Sequence, residues 1–247
     1  MLKFDHIVLL ADDLKNTIYY FEQIGYIVSK GGKHDNGITE NALIHFPNGT
    51  FLELLALQKN WKTSLIKWLL QITSIRITPL LPIQDFKARF VARALLCKKG
   101  IIDFCLLANE GLADYEAIKS RNFPLTTPAS MKRVRPDGSS LNWHIFAPFD
   151  YELPFVMTPY KPTFKPNPEH LHHPNGAQGI EKIIIYVIDF EATTKKYELL
   201  LGFLPSYKDE MNAIFEIEGG KIEIINRHQH TGNGIGFLEV EPAIILP

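Results

Sequence analysis

Apolar and polar positions along the chain fall into a pattern that recurs. The first 57 residues read as a strand, a helix and three further strands. Phe4–Leu10 (FDHIVLL) is the first strand, and alternation sets His6 on one face with Phe4, Val8 and Leu10. A helix is predicted over Asp13–Ile24, ending at Gly25, a residue suited to the left-handed position that closes helices. Strands follow at Ile27–Ser29, Ala42–Phe46 and Thr50–Leu57, the last (TFLELLAL) with Glu53 inside an apolar run.

The same order returns twice. Ile101–Ala108 is a strand and Leu112–Arg121 a helix, followed by extended segments around Arg133, Leu141–Phe146 and Phe155–Thr158. Laid without gaps, FDHIVLLADD over IIDFCLLANE puts Asp103 where His6 stands. In the third copy Ile180–Ile188 is a strand, and Phe190–Leu201 is a helix closed by Gly202. Asn212–Ile217 and Lys221–Asn226 are strands joined through a turn at Gly219-Gly220. Lys182 replaces His6 there, and Glu223 stands over Glu53. A strand-helix-strands unit in three copies marks an internal-repeat protein of α+β class.

Two segments lie outside the repeat. Residues 59–99 read as a helical insertion, with Trp61, Leu65, Trp68 and Leu69 on one face, a break at Pro79 and Pro82, and a resumption at Phe86 and Phe90. It is either a cover packed on a sheet or a lid whose aromatics line a cavity. Residues 161–179 are rich in proline, asparagine and glycine. They read as a solvated connector, with His170, His172 and His173 as surface residues rather than metal ligands.

Composition narrows the function. Of 247 residues, 46% are hydrophobic and 21% charged, with a formal net charge of −1, which argues against a nucleic-acid binder. No apolar run approaches membrane-spanning length, and the N-terminus reads as a strand rather than a signal peptide. The two cysteines, Cys97 and Cys105, fit reduced core positions, so a cytoplasmic protein is expected. Without a P-loop, a GxGxxG fingerprint or a GxSxG elbow, no nucleotide cofactor and no serine hydrolase is indicated.

An imidazole and a carboxylate on two strands of one sheet are ready ligands for a divalent cation. His6 reads equally as a hydrogen-bonded core residue. Glu53 is costly to bury unless paired, coordinated or protonated, or else it faces solvent. His34, in a glycine-bounded loop, is a ligand contact, a proton carrier or a plain surface residue. Arg135, beside the turn Pro136-Asp137-Gly138, can fork two hydrogen bonds to an anion or simply face solvent. Asn41 and Trp143 suit pocket walls, and each also has an ordinary core reading.

A repeated βαβββ unit with His in its first strand and Glu in its last resembles the vicinal oxygen chelate superfamily. Residues 1–160 resemble the bacterial glyoxalase-like domain proteins within it. The carrying residues are Phe4-Asp5-His6-Ile7-Val8, Gly31-Gly32-Lys33-His34 leading to Asn41-Ala42-Leu43, and Phe51-Leu52-Glu53-Leu54. Arg135-Pro136-Asp137-Gly138 with Trp143, Leu153-Pro154-Phe155 and His173-Pro174-Asn175-Gly176-Ala177 carry it further. The resemblance implies that two units over residues 1–160 pair into a curled-sheet cup, with a third related unit over 180–247. It implies a divalent metal inside the cup, held by His6, Glu53 and, where the pattern departs, Asp103. Glu53 and His34 would then be catalytic, and Asn41, Arg135 and Trp143 would bind a small-molecule ligand. The alternative is a metal-free binding protein of the bleomycin-resistance type, or a bare scaffold for dimerisation. Because such units bury a sheet face by pairing and three is odd, a homodimer is expected, with the tail Gly236–Val240 as one covering strand.

Overall fold

The computed structural model describes residues 2–33, 38–59, 86, 89, 100–134, 138–150, 153–227, 234–241 and 244–246. The first unit is β1 (Leu2–Ala11), α1 (Leu14–Gln23), β2 (Ser29–Lys33), β3 (Thr39–His45) and β4 (Phe51–Leu57). The second is β5 (Gly100–Ala108), α2 (Leu112–Lys119), β6 (Ala129–Val134), β7 (Ser140–Phe146) and β8 (Phe155–Met157). Together they form one eight-stranded sheet in the order β2-β3-β4-β1-β5-β8-β7-β6. The third unit is β9 (Gly179–Val187), α3 (Phe190–Leu201), β10 (Tyr207–Lys208), β11 (Asn212–Ile217) and β12 (Gly220–Asn226). With β13 (Gly234–Glu241) and β14 (Ile244–Leu246) it builds a six-stranded sheet, β10-β11-β12-β9-β13-β14.

The repeat is visible in the pairing. In each unit the first strand lies parallel to the last: β1 with β4, β5 with β8, β9 with β12. A helix after the first strand supplies the crossover that parallel pairing needs. β13 runs antiparallel beside β9 as β5 does beside β1, so the tail extends the sheet rather than covering its face. Local signals set the helix ends. The Asp13 carboxylate accepts from Asn16 N–H (3.1 Å) and Asp189 from Ala192 N–H (3.1 Å), while Gly25 and Gly202 take left-handed φ of 87° and 86°.

One apolar core joins the two sheets and the three helices. It takes Phe4, Ile7, Phe46 and Phe104 from the first sheet and Ile183, Ile185, Phe215 and Ile222 from the second, with Phe21, Tyr115 and Tyr197 from the three helices. Burying side chains of this size contributes roughly 1.5–3 kcal/mol each. The sheets also touch directly, since Phe4 N–H donates to Glu218 O (2.8 Å). On β9, Ile183, Ile185 and Val187 enter the core, whereas Lys182, Ile184 and Tyr186 are half-buried on the other face.

The alternation expected for β1 is corrected. Its register against β5 slips between Phe4 and His6, leaving Asp5 as the extra residue of a β-bulge. Phe4 therefore packs with Ile7 in the shared core, while His6 turns to the opposite face with Val8 and Leu10. β9 slips in the same place, between Ile180 and Lys182.

The connector is not solvated along its length. His173 is buried, accepts from Ile27 N–H at Nδ1 (3.0 Å) and donates from Nε2 to His45 O (2.9 Å). His170 bonds Ser29 Oγ (2.8 Å), and Asn175 donates to Ile24 O at the end of α1 (3.0 Å). Carbonyls and amides left by the first unit give these side chains partners, and composition alone does not show that. Of the insertion, Lys59, Phe86 and Arg89 are described, the last two helical and buried; its other residues, Cys97 among them, lie outside the described residues.

Two predictions follow from this packing. The Arg121 guanidinium donates to Leu199 O (2.6 Å) and Leu200 O (2.8 Å), tying α2 to the end of α3. Arg121→Met keeps the stem and loses both bonds, and should lower the free energy of unfolding by about 1–3 kcal/mol. Urea denaturation measures it, and an unchanged midpoint would contradict the assignment.

The second concerns acid. Burial lowers the pKa of His173, and burial with the nearby His170 pulls His45 down to about 4. Unfolded histidines take up protons near pH ~6.5, before the folded ones do. Stability should therefore be full above about pH 6.5 and fall as acid is added, the His45 share being lost down to its folded value. Between about pH 7 and 5, His45→Gln should lose less stability than wild type, by on the order of 1–2 kcal/mol. Parallel curves would refute this.

Candidate functional site

The face of the eight-stranded sheet turned away from the shared core holds the chemistry. β1 and β4 lie side by side with Val8 opposite Glu53, which sets His6 and Glu53 on the same face of adjacent strands. Both are buried, at 4% and 9% exposure. His6 Nε2 lies 3.8 Å from Glu53 Oε2. The outer atom of each side chain is fixed by another residue. His6 Nδ1 is 2.6 Å from Asp5 Oδ2, and Asn41 Nδ2 donates to Glu53 Oε1 (2.7 Å). Asn41 is itself held, because its Oδ1 accepts from Gly32 N–H (3.1 Å).

The tautomer follows from these partners. A carboxylate can only accept, so Nδ1 carries a proton toward Asp5, and in the neutral imidazole the Nε2 lone pair then faces the Glu53 oxygen. The two atoms are 3.8 Å apart, too far for a hydrogen bond, and they are the pair of groups here that could hold a cation between them. The imidazole also stacks on Phe51 (4.2 Å, 16°) and meets the edge of Phe155, which fixes its plane.

Asp103 is buried opposite Val8, and its carboxylate is taken up by other groups. Arg89 Nη1 donates to Oδ2 (3.1 Å), Phe104 N–H donates to Oδ1 (3.0 Å), and Arg89 Nη2 also reaches Leu153 O (2.6 Å). Opposite His6 on β5 stands Cys105, fully buried. Burial, then the charges of Asp5, Asp103 and Glu53, push its thiol pKa well up. Asp5, His6 and Cys105 each bring a ligand atom within 4.8 Å of the others.

Apolar and aromatic groups wall the cup. Val8, Leu10, Leu55, Phe86, Ile102, Ile145, Phe155 and Met157 form its floor, and Trp143 and Tyr160, edge to face with each other (5.0 Å), pack against them. Burial, with the charges of Asp5 and Glu53, raises the Tyr160 pKa and keeps its hydroxyl a neutral donor. Arg133 is exposed on β6, with its guanidinium beside Gly32. A groove of about 560 Å³ beside Leu9, Asp12, Asn16, Tyr20 and Gly100 includes none of the candidate residues.

Of the residues singled out from sequence, the structure brings together His6, Glu53 and Asn41, and places Trp143 on the same apolar cluster. His34 and Arg135 lie outside the described residues. Sequence reasoning missed Asp5, Arg89, His45, Cys105 and Tyr160. An acidic residue just before the His6 position, repeated as Glu181 before Lys182, was the available signal for Asp5. Nothing local marks Arg89, whose partner is brought to it by the fold.

Comparisons with known proteins agree with this geometry. A family model described as a glyoxalase-like domain matches residues 4–201. A comparison with curated proteins finds no match. Among solved structures, a hypothetical protein from Staphylococcus aureus is similar at a TM-score of 0.72 and 16% identity, covering 97% of this chain and 91% of that one. A mutant 4-hydroxymandelate synthase from Streptomyces coelicolor gives a TM-score of 0.57 at 12% identity, covering 96% of this chain and 70% of that one. Repeat, cup and family model converge: the chain belongs to the glyoxalase-like domain family of the vicinal oxygen chelate superfamily.

Proposed function

We propose that this protein is a small-molecule enzyme of the glyoxalase/dioxygenase-like type, with a divalent cation held by His6 and Glu53. One observation carries the reading: Nε2 and Oε2 face each other at 3.8 Å while Asp5 and Asn41 hold the far atoms of the two side chains. Outer hydrogen bonds of this kind orient ligands and raise the basicity of an imidazole. A cation so placed supplies Lewis acidity toward two oxygens of a bound molecule.

The chain's own groups do the rest. The apolar floor and the Trp143–Tyr160 pair exclude water and favour a flat or branched apolar body in the ligand. Tyr160 donates a hydrogen bond from a hydroxyl that stays protonated. Arg133 offers a guanidinium to an anionic group at the mouth. His34 and Arg135 keep the proton-carrying and anion-holding roles expected of them from sequence. Asp103 we assign instead to anchoring Arg89, because its two oxygens serve the guanidinium and the Phe104 amide.

A second reading has its own support. With Asp103 engaged, the second unit adds no ligand to the His6–Glu53 pair among the described residues, and two protein ligands hold a metal less tightly than three or four. A metal-free protein that sequesters a small molecule in the same cup fits that observation.

Metal analysis of protein purified without chelator or affinity tag separates the two. One divalent ion per chain is expected, lost in both His6→Ala and Glu53→Ala. Asn41→Ala should weaken it by about 10–100-fold, as loss of an outer hydrogen bond does. A metal-free wild type, with correctly folded variants unchanged in ligand binding, would overturn the enzyme reading in favour of sequestration.

A further inference from the structure

We infer that His6 has a second metal-binding side, on which a thiophilic cation is held by Asp5, His6 Nδ1 and the Cys105 sulfur. It rests on His6 being a ligand, as proposed above, but not on Glu53. The bulge at Asp5 turns that residue to the face of its neighbour His6, and the register sets Cys105 directly opposite His6 on β5. One carboxylate oxygen, one imidazole nitrogen and one sulfur thus lie within 4.8 Å of one another. Carboxylate, imidazole and thiolate together suit zinc, cobalt(II) or cadmium, whereas the carboxylate–imidazole pair on the Nε2 side suits harder ions.

The two sides exclude each other through the tautomer. With Nδ1 protonated and donating to Asp5, only Nε2 has a lone pair to offer. When a cation takes Nδ1, that proton leaves and Nε2 gains one, which then faces Glu53 Oε2 3.8 Å away. The new metal–sulfur bond forms as Cys105 gives its thiol proton to solvent, a loss that coordination enforces. One ion bound therefore releases one net proton, and the identity of the metal selects which nitrogen binds.

Cobalt(II) titration followed by near-ultraviolet absorption tests this. Wild type should develop a thiolate-to-cobalt charge-transfer band that saturates at one ion per chain. Cys105→Ser and His6→Ala should lack the band, Cys97→Ser should keep it, and Glu53→Gln should keep it too. Asp5→Asn, which leaves the sulfur in place, should raise the cobalt Kd by about tenfold or more. Cobalt bound without the band, or a band surviving in Cys105→Ser, overturns the inference. Manganese(II) binding by electron paramagnetic resonance reports the other side. Its loss in Glu53→Gln and persistence in Cys105→Ser would support the Glu53 site whatever the sulfur does, so the two readings fail separately.

Discussion

Asp5 is one residue more than the pairing of β1 with β5 accommodates, and the strand absorbs it as a bulge. Strict alternation would put Phe4 and His6 on one face and Asp5 on the other. The bulge instead gives Phe4 and Ile7 to the core shared by both sheets, and His6, with Asp5 against its Nδ1, to the cup. An apolar anchor on one side and a polar pair on the other are obtained from three consecutive residues. The close contact of the sheets at Phe4 N–H and the orientation of the His6 ring both depend on that slip.

The three units keep one geometry and differ in how each supplies charge. In the first, Glu53 lies beside Val8 and opposes the His6 imidazole. In the second, Asp103 stands where His6 stands in the aligned sequence, and Arg89 from the insertion provides the balancing cation. In the third, Glu223 lies beside Ile184 as Glu53 does beside Val8, and the Lys182 ammonium is 3.2 Å from it. A buried or half-buried carboxylate needs a positive partner. Two units carry theirs as a covalent side chain. The first unit sets an imidazole beside its carboxylate, with Asn41 on the other carboxylate oxygen.

Helices and connector serve the same end. α1, α2 and α3 contribute side chains to the core shared by the two sheets, so the eight-stranded sheet is supported on the face away from His6. His173 and Asn175 pin the connector to β3 and to the end of α1, and His173 reaches the backbone of His45, which lies beside Phe51 under the His6 ring. The site is thereby coupled mechanically to a segment far away in the sequence.

The sequence by itself determined the three-fold repeat, the α+β class, the order of strands and helices, and the closing glycines, because these follow from local periodicity and from backbone positions that only certain residues occupy. It also marked His6, Glu53 and Asn41, since polar groups inside apolar strands stand out. What it could not show were contacts between residues distant along the chain: Arg89 on Asp103, Cys105 across from His6, Tyr160 over the cup, His173 under His45. A single extra residue at Asp5 reverses which side chains share a face, and alternation read from sequence has no means of detecting a slip that arises only when two strands pair. Those decisions belong to tertiary structure, where the cost of an unpartnered buried charge is met by whatever group the fold brings near.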